Sequence, residues 1–520
     1  MTTRPMLRPA PYDTLCKRFD WDLPGSLNMA HQVCDGWAAT DPDRIAIIEV
    51  TPERVRPVTY GDLWYRSRQV ETALIERGVM RGDRVGVLLS QSPLCAAAHI
   101  AAWRLGAISV PLFKLFRADA LRARIEDAGL GVVVTDLEGM VQVAGLGVAT
   151  ITRSDLGASA GTRAMVETGP DDAAVLIYTS GTTGTPKGAL HGHRVLTGHL
   201  PGVEMSHDFL GQDGDVIWTP ADWAWIGGLF DVLMPGLALG VPVVAARMPK
   251  FSVEECVRIV REGTVRNVFF PPTALRMMRA AEGRIDGLRS VASGGEPLGA
   301  EMLDWGRSAF GVTINEFYGQ TECNMIVSSC GASFDAVPGS MGRAVPGHQV
   351  AVIGPDGLPC EGEGDIAVRR GSASMMLEYW RKPEDTAAKY RGDWMLTGDR
   401  GVQKGDTLTF LGREDDVITS AGYRIGPAEI EDCLLTHPAV ATCGVVGKPD
   451  ALRTEIVKAY VVLREGVNAS ATDLQSWVKD RLASYSYPRE IEFLDELPMT
   501  VTGKVIRKEL KARAGKEGQP

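Results

Sequence analysis

The chain has 520 residues, 45% hydrophobic and 23% charged, which suits two or three packed domains and excludes a disordered or fibrous chain. A net charge of −10 and a pI near 5.5 exclude a dedicated nucleic-acid binder, and no basic stripe interleaved with aromatics is present. The nine cysteines are scattered without a C-x-x-C pair. That spacing gives no zinc site and predicts free thiols in a reducing, cytoplasmic compartment.

At the N-terminus, MTTRPMLRPAPYD lacks an apolar core, so no secretory signal is expected. DRVGVLLS (83–90), PLCAAAHIAAWRLGA (93–107) and ISVPLF (108–113) read as strand, helix and strand. GLGVVVTD (129–136), VRNVFFPP (265–272) and LRSVASGG (288–295) are further apolar runs closed by Gly, Pro or Asp. This alternation predicts an α/β fold with mostly parallel sheets flanked by helices, where ligands gather at the carboxyl ends of the strands.

The apolar run AAVLI (173–177) predicts a buried strand, and YTSGTTGTPKG (178–188) follows it. Glycines, hydroxyls and one lysine together make a concave donor surface suited to phosphate oxygens. It is not a Walker loop, because Lys187 stands between Pro186 and Gly188 and lacks the hydroxyl that would hold magnesium. His191 and His193 form an H-x-H with no further ligand nearby in sequence. The stretch IGGLFDVLMPGLALGVPVVAA (226–246) carries Asp231, prolines and glycines, so it reads as a buried helix and strand rather than a membrane span.

Four later stretches combine special backbone with polar chemistry: SGGEPLG (293–299), NEFYGQTE (315–322), DWMLTGDRG (393–401) and VTGKVIRK (501–508). The third is expected to end a strand at Asp399. Near residue 412 the pattern changes to a charged run, a glycine turn and an amphipathic helix over 427–436, with proline near its start and glutamates in its first turns. CGVVGKPD, EIVKAYVVL and IEFLDELP then predict strands of a small α+β domain. The expected division is an N-terminal domain over 1–412, a hinge over 413–417 and a mobile C-terminal domain over 418–520.

Taken in order, YTSGTTGTPKG, GGEP, YGQTE, TGD, GREDD…AGYRIGPAEIE and PMTVTGK resemble the AMP-forming adenylating superfamily of acyl-CoA synthetases, adenylation domains and luciferases. The resemblance runs from about residue 30 to 510 and is strongest to the short- and medium-chain acyl-CoA synthetases, through FYGQTE, DVITSAGYRIGPAEIE and SYPREIEF. It implies that ATP and a carboxylic acid form acyl-AMP and pyrophosphate, after which coenzyme A displaces AMP. Charge stabilisation then matters more than a protein nucleophile, because the substrate carboxylate itself attacks phosphorus.

By the same resemblance, Thr179, Ser180, Gly181, Thr182, Thr183, Gly184 and Lys187 would cradle the β- and γ-phosphates of ATP. Gly295, Glu296, Pro297 and the run Glu316, Phe317, Tyr318, Gly319 and Gln320 would form the adenine side, with Tyr318 stacking on the base. Thr321 would bond the α-phosphate, Glu322 would hold Mg²⁺, and Asp399 and Arg413 would reach the ribose. Lys504 would meet the charge that develops between carboxylate and α-phosphate. It also lies in the P-x-x-x-x-G-K form at which relatives are acetylated. Asp415 matches the hinge, Arg424 a phosphate contact in one of two states, and Ala421, Gly422, Tyr423, Arg453 and Lys479 coenzyme A contacts.

The acid is read from fewer residues. Gly319 stands where acetyl-specific relatives carry a tryptophan, which predicts open space and an acid longer than acetate, medium-chain or branched. Trp223, Trp225 and Gly227 would line this pocket or pack in the core. Cys323 and Asn324 depart from the small or aliphatic residues common after Q-T-E. The alternatives are a stand-alone enzyme loading a carrier protein and a nucleotide-binding protein without turnover; Ala224 lacks the aspartate of amino-acid activators, and the intact Lys504, Glu322, Asp399 and Asp415 weigh against the second.

Overall fold

The computed structural model describes residues 6–516 apart from 117, 159–160, 162, 180–186, 414–415, 417, 421–422, 451–452, 483–485 and 501–502. Two large sheets build the N-terminal part. In one, the strands Val243–Ala245, Ile217–Trp218, Asn267–Phe269, Ser290–Gly294 and Ile314–Gln320 run parallel. In the other, Ile108–Pro111, Arg84–Leu88, Val132–Thr135 and Ala149–Ile151 run parallel beside Ala173–Thr179.

Local chemistry explains the intervening helices. Ser92 caps the helix Pro93–Arg104 by accepting from the Cys95 amide, and Pro93 sits where no amide is needed. The helix is buried on every side, as its run of alanines allows. The helix Arg194–Ser206 carries Gly198 and Gly202, where an added Cβ would strike Ser374 N at 2.1 Å and Met325 Cβ at 2.6 Å. Gly202 lets this helix lie directly on the strand Cys323–Ser328, and Gly198 admits the backbone of Ala373 and Ser374. Residues 226–246 form a helix with a π turn over Leu229–Leu233 and then a strand, as the sequence predicts.

Two expectations are corrected. The sheet of Ile314–Gln320 becomes antiparallel beyond that strand, through Cys323–Ser328, Gly342–Ala344, Thr407–Arg413, Trp394–Lys404 and Gly362–Arg369. A period-two pattern does not state strand direction, so this half was not distinguishable in sequence. Asp399 does not end a strand: it lies within Trp394–Lys404, one residue after Gly398 at φ +81°, and the pairing shifts register between Arg400 and Gly401. The irregularity turns a mid-strand carboxylate toward the cleft.

Thr407–Arg413 belongs to the large sheet, whereas Ile418–Ser420 pairs with Tyr423–Ile425 and Thr454–Leu463 in a separate small sheet. Packed on that sheet are the helices Pro427–Leu435 and Ala471–Lys479, around Ile430, Leu434, Val445, Val457 and Leu474. A closed apolar cluster of its own marks this part as a separate folding unit. Among the described residues, no helix is long and apolar enough to cross a membrane.

Candidate active site

Part of the predicted set is brought together: Tyr318, Asp399 and Arg413 are in contact, and Lys504 lies near Gly295 and Trp225. Thr179 and Lys187 face each other across the hairpin Ala173–Thr179/Lys187–Gly192. The loop between them, with Ser180, Gly181, Thr182, Thr183 and Gly184, lies outside the described residues. Lys187 Nζ pairs with Asp385 Oδ1 at 3.0 Å and stands 5.5 Å from the centre of the Tyr379 ring. Tyr379 in turn donates its hydroxyl to Glu322 Oε1.

Glu322 follows Thr321 in the tight turn joining Ile314–Gln320 to Cys323–Ser328. Its carboxylate is buried, and Oε2 has no hydrogen bond among the described residues. A hard carboxylate oxygen without a hydrogen bond among the described residues, linked through Tyr379 to the hairpin that carries Lys187, fits Mg²⁺, which takes one or two carboxylates and completes its shell with phosphates and water. No cluster of three metal-ligating side chains occurs among the described residues, His191 and His193 included.

Tyr318 donates to Asp399 Oδ2 at 2.6 Å, and Arg413 Nε lies 3.4 Å from Asp399 Oδ1. Burial raises the pKa of Asp399, and the guanidinium of Arg413 opposes that shift. Lys389, which no sequence motif marked, donates to Gln320 Oε1 at 3.2 Å and to the carbonyls of Leu396 and Thr397 at 3.3 Å. It fixes the amide of Gln320, whose Nε2 donates to the same Thr397 carbonyl at 3.1 Å. A lone lysine among surface-like charges carries no signal in sequence; only its fold position reveals it.

Gly295 sits at φ +102°, where an added Cβ would lie 3.4 Å from the Trp225 ring and 3.8 Å from Lys504 Nζ. Glu296 is held by Arg276 at 2.9 Å, which also donates to the Pro297 carbonyl at 3.3 Å. Glu316 is buried; its Oε1 accepts from Leu298 N at 3.4 Å. Desolvation, helped by the charge of Asp432, pushes its pKa up to about 8. Phe317 is buried and packs on Phe269 at 5.1 Å.

Lys504 enters this cleft from the C-terminal part. Its amide donates to Thr500 Oγ1 at 3.0 Å, and its carbonyl accepts from the Thr500 amide at 2.7 Å. The preceding Gly503 accepts from Thr273 Oγ1 of the N-terminal part at 3.4 Å, a contact that crosses between the parts. Desolvation lowers the pKa of Lys504, while the charges of Glu296 and Asp399 act against that shift and Arg413 adds to it. The lysine thus stands in the field of the carboxylates that the sequence grouped with it.

Other predicted residues fare differently. Trp223 has no accessible surface and belongs to the main core, so it lines no open pocket. Trp225 is half-buried, and its ring lies across Gly227, whose added Cβ would meet it at 2.7 Å. The space expected at Gly319 is taken: an added Cβ there would come 1.9 Å from Asn324 Oδ1. Arg453 stands at the turn joining Val440–Asp450 to Thr454–Leu463, and its amide donates to Asp450 at 2.8 Å. The pairing Ser420↔Thr454 brings it near the end of the strand Ile418–Ser420. Lys479 is exposed at the end of its helix, 4.1 Å from the Tyr487 ring centre. Asp415, Ala421 and Gly422 lie outside the described residues, as do the side chains of Tyr423 and Arg424.

A model of the AMP-binding enzyme family matches residues 34–380, and one of the AMP-binding enzyme C-terminal domain matches residues 429–504. The chain belongs to the AMP-binding enzyme family. This AMP-binding enzyme is 33% identical to the acetyl-coenzyme A synthetase of Bacillus subtilis (strain 168), over 96% of its own length and 94% of that protein. It is 32% identical to the mitochondrial acyl-coenzyme A synthetase ACSM4 of Homo sapiens, covering 94% of this chain and 91% of that one. Among solved structures, a Brucella canis acyl-CoA synthetase superposes with a TM-score of 0.74 at 32% identity, covering 98% and 100% of the two chains. ATP-bound MatB from Rhodopseudomonas palustris gives 0.84 at 26%, covering 95% and 99%.

Proposed function

We propose that this AMP-binding enzyme is an AMP-forming acyl-CoA synthetase, which converts a carboxylic acid to acyl-AMP with ATP and then passes the acyl group to the thiol of coenzyme A. Near-full-length likeness to acyl-CoA synthetases supports the reaction class. The observation that carries the reading is the position of Lys504, whose ammonium stands 3.8 Å from the Cβ site of Gly295 with Trp225 beside it.

In the first half-reaction the acid's carboxylate oxygen attacks the α-phosphorus of ATP and pyrophosphate leaves. Lys504 supplies positive charge where the attacking carboxylate and the α-phosphate crowd together. Thr179, the loop 180–184 and Lys187 hold the departing phosphates, and Thr321 bonds the α-phosphate. Glu322 would hold Mg²⁺, which supplies charge neutralisation on the phosphate oxygens when bound. The buried, Tyr318-bonded carboxylate of Asp399 accepts from the ribose hydroxyls, with Arg413 alongside. Gly295, Glu296, Pro297, Glu316, Phe317, Gly319 and Gln320 shape the adenine side, and the ring of Tyr318 stacks on the base.

The second half-reaction needs Lys504 out of the way and the pantetheine thiol in. We assign that exchange to rotation of residues 418–520 about the hinge 413–417, centred on Asp415, against the body 1–412. Ala421, Gly422 and Tyr423 would then line the thiol's path, with Arg424, Arg453 and Lys479 offering cations to coenzyme A. The acid is proposed to be longer than acetate, medium-chain or branched, because no indole stands at position 319, even though Asn324 fills the place next to that glycine; Trp225 and Gly227 would stand on the pocket wall.

ATP–pyrophosphate exchange across straight acids from acetate to dodecanoate, branched acids, benzoate and amino acids tests this reading, with thioester product followed in parallel. Exchange with an acid longer than acetate and a coenzyme A thioester as product is expected. Exchange without thioester contradicts the second step, and no exchange with any acid contradicts the first.

A further inference from the structure

Beneath Gly319 lies a buried polar trio drawn from three elements. Asn324, from Cys323–Ser328, directs its Nδ2 at both Asp231 oxygens, at 2.8 and 3.0 Å. His199, from the helix Arg194–Ser206, places Nδ1 3.1 Å from Asp231 Oδ1. Asp231 lies one turn beyond Gly227, on the helical segment that follows Trp225, so it shares the face that carries the expected acyl-pocket wall. None of the three belongs to the machinery that handles ATP.

The chemistry of the trio fixes its orientation. An amide nitrogen only donates, so both oxygens of Asp231 accept from Asn324 Nδ2, while His199 Nδ1 stands within hydrogen-bond distance of Oδ1. The amide oxygen of Asn324 must then face the other way, which is toward Gly319, at the position where a side chain on that residue would begin. The two bonds to Asp231 are the hydrogen bonds of the Asn324 side chain among the described residues, so Oδ1 is left as an acceptor. Asn324 retains 4% exposure, and Gly319 above it is only half-buried. A glycine at 319 is therefore not empty space for methylenes. It is the opening through which a buried acceptor reaches the cleft.

We propose that the acyl site ends at Asn324 Oδ1, held by Asp231 and His199, and selects an acid longer than acetate that carries a hydroxyl group toward the far end of its chain. The proposal rests on the acyl-CoA synthetase reading and deepens it. A plain alkyl end would cover this oxygen without giving it a donor, which the hydroxyl supplies. An ammonium is disfavoured there, because the carboxyl group of Asp231 that would balance it is already engaged by Asn324 and His199.

The test is ATP–pyrophosphate exchange with matched pairs of acids, from four- to eight-carbon chains, each plain, hydroxylated at successive carbons, or aminated at the same place. It is run on the full-length protein and on Asn324→Leu, which keeps the shape and removes the acceptor. Asn324→Gly is the second variant, and ATP binding without acid checks that both are folded. The proposal expects at least ~10-fold higher kcat/KM for the best hydroxy acid than for its plain partner, carried mainly in KM. Both variants should lose that preference. Equal use of plain and hydroxylated acids, or a preference that survives in Asn324→Leu, overturns it. A preference for the amine overturns the choice of hydroxyl. No exchange with any acid overturns the synthetase reading itself, which the other outcomes leave standing.

Discussion

Lys504 is asked to be cationic in a place that discourages charge. Desolvation in the cleft lowers its pKa below the ordinary 10.5, and only partial help comes from Glu296 and Asp399. In the proposed role the protonated form stabilises the reacting carboxylate and phosphate, so activity in the first half-reaction would be present below the folded pKa and lost as pH rises through it. The alkaline limb of acyl-AMP formation should therefore fall at lower pH than an ordinary lysine gives. Thioester formation from supplied acyl-AMP should lack that limb, since Lys504 takes no part in it. Stopped-flow rates of the two steps across pH check this; identical limbs for both steps would count against the assignment.

In the proposed reading the hairpin Ile314–Gln320/Cys323–Ser328 sets the acyl side of the site, and Gly319 and Asn324 pack against each other within it. Gly319→Ala places a methyl on the Asn324 amide, 1.9 Å from its oxygen, and overpacking of this kind typically costs about 1–3 kcal/mol. The single variant should melt lower and bind acid more weakly, whereas in an Asn324→Gly background, itself weakened by loss of the bonds to Asp231, the added cost of Gly319→Ala should largely vanish. Additive losses, measured by urea unfolding, would show that the two residues are not coupled. This pair also shows where sequence reading ends. The glycine-rich motifs, the strand before them and the separate C-terminal domain carry local signals of composition and period, and so they were legible. The filling of the space at Gly319 depends on a residue across a hairpin, and the burial of Trp223 beside a half-buried Trp225 depends on which face of a turn meets the core. The antiparallel half of the large sheet and the role of Lys389 are likewise products of tertiary pairing, which no local pattern encodes.

At the scale of the whole molecule, two devices join distant parts of the chain. Glu204 accepts from the amides of Met6 and Leu7 at 2.9 and 2.6 Å, fastening the N-terminal segment to the helix Arg194–Ser206. Those donors favour the charged form, but burial outweighs them and pushes its pKa up to about 8 from 4.5. Folding then takes up a proton between those values, so the stability contributed by this group falls as pH rises from 4.5 toward 8. Glu204→Gln should flatten that slope in urea unfolding midpoints taken at several pH values; an unchanged slope would place the proton elsewhere. The second device is the contact of Gly503 with Thr273, which in the proposed two-step reaction would hold Lys504 in place for the first half-reaction and open for the second. The most direct test of this two-step account measures pyrophosphate release and thioester formation from supplied acyl-AMP separately, in Lys504→Ala and in Asp415→Pro. The account predicts that Lys504→Ala slows the first ~100- to 1000-fold and spares the second. Asp415→Pro, which fixes a hinge φ, should do the reverse. Equal loss of both steps in Lys504→Ala would contradict it.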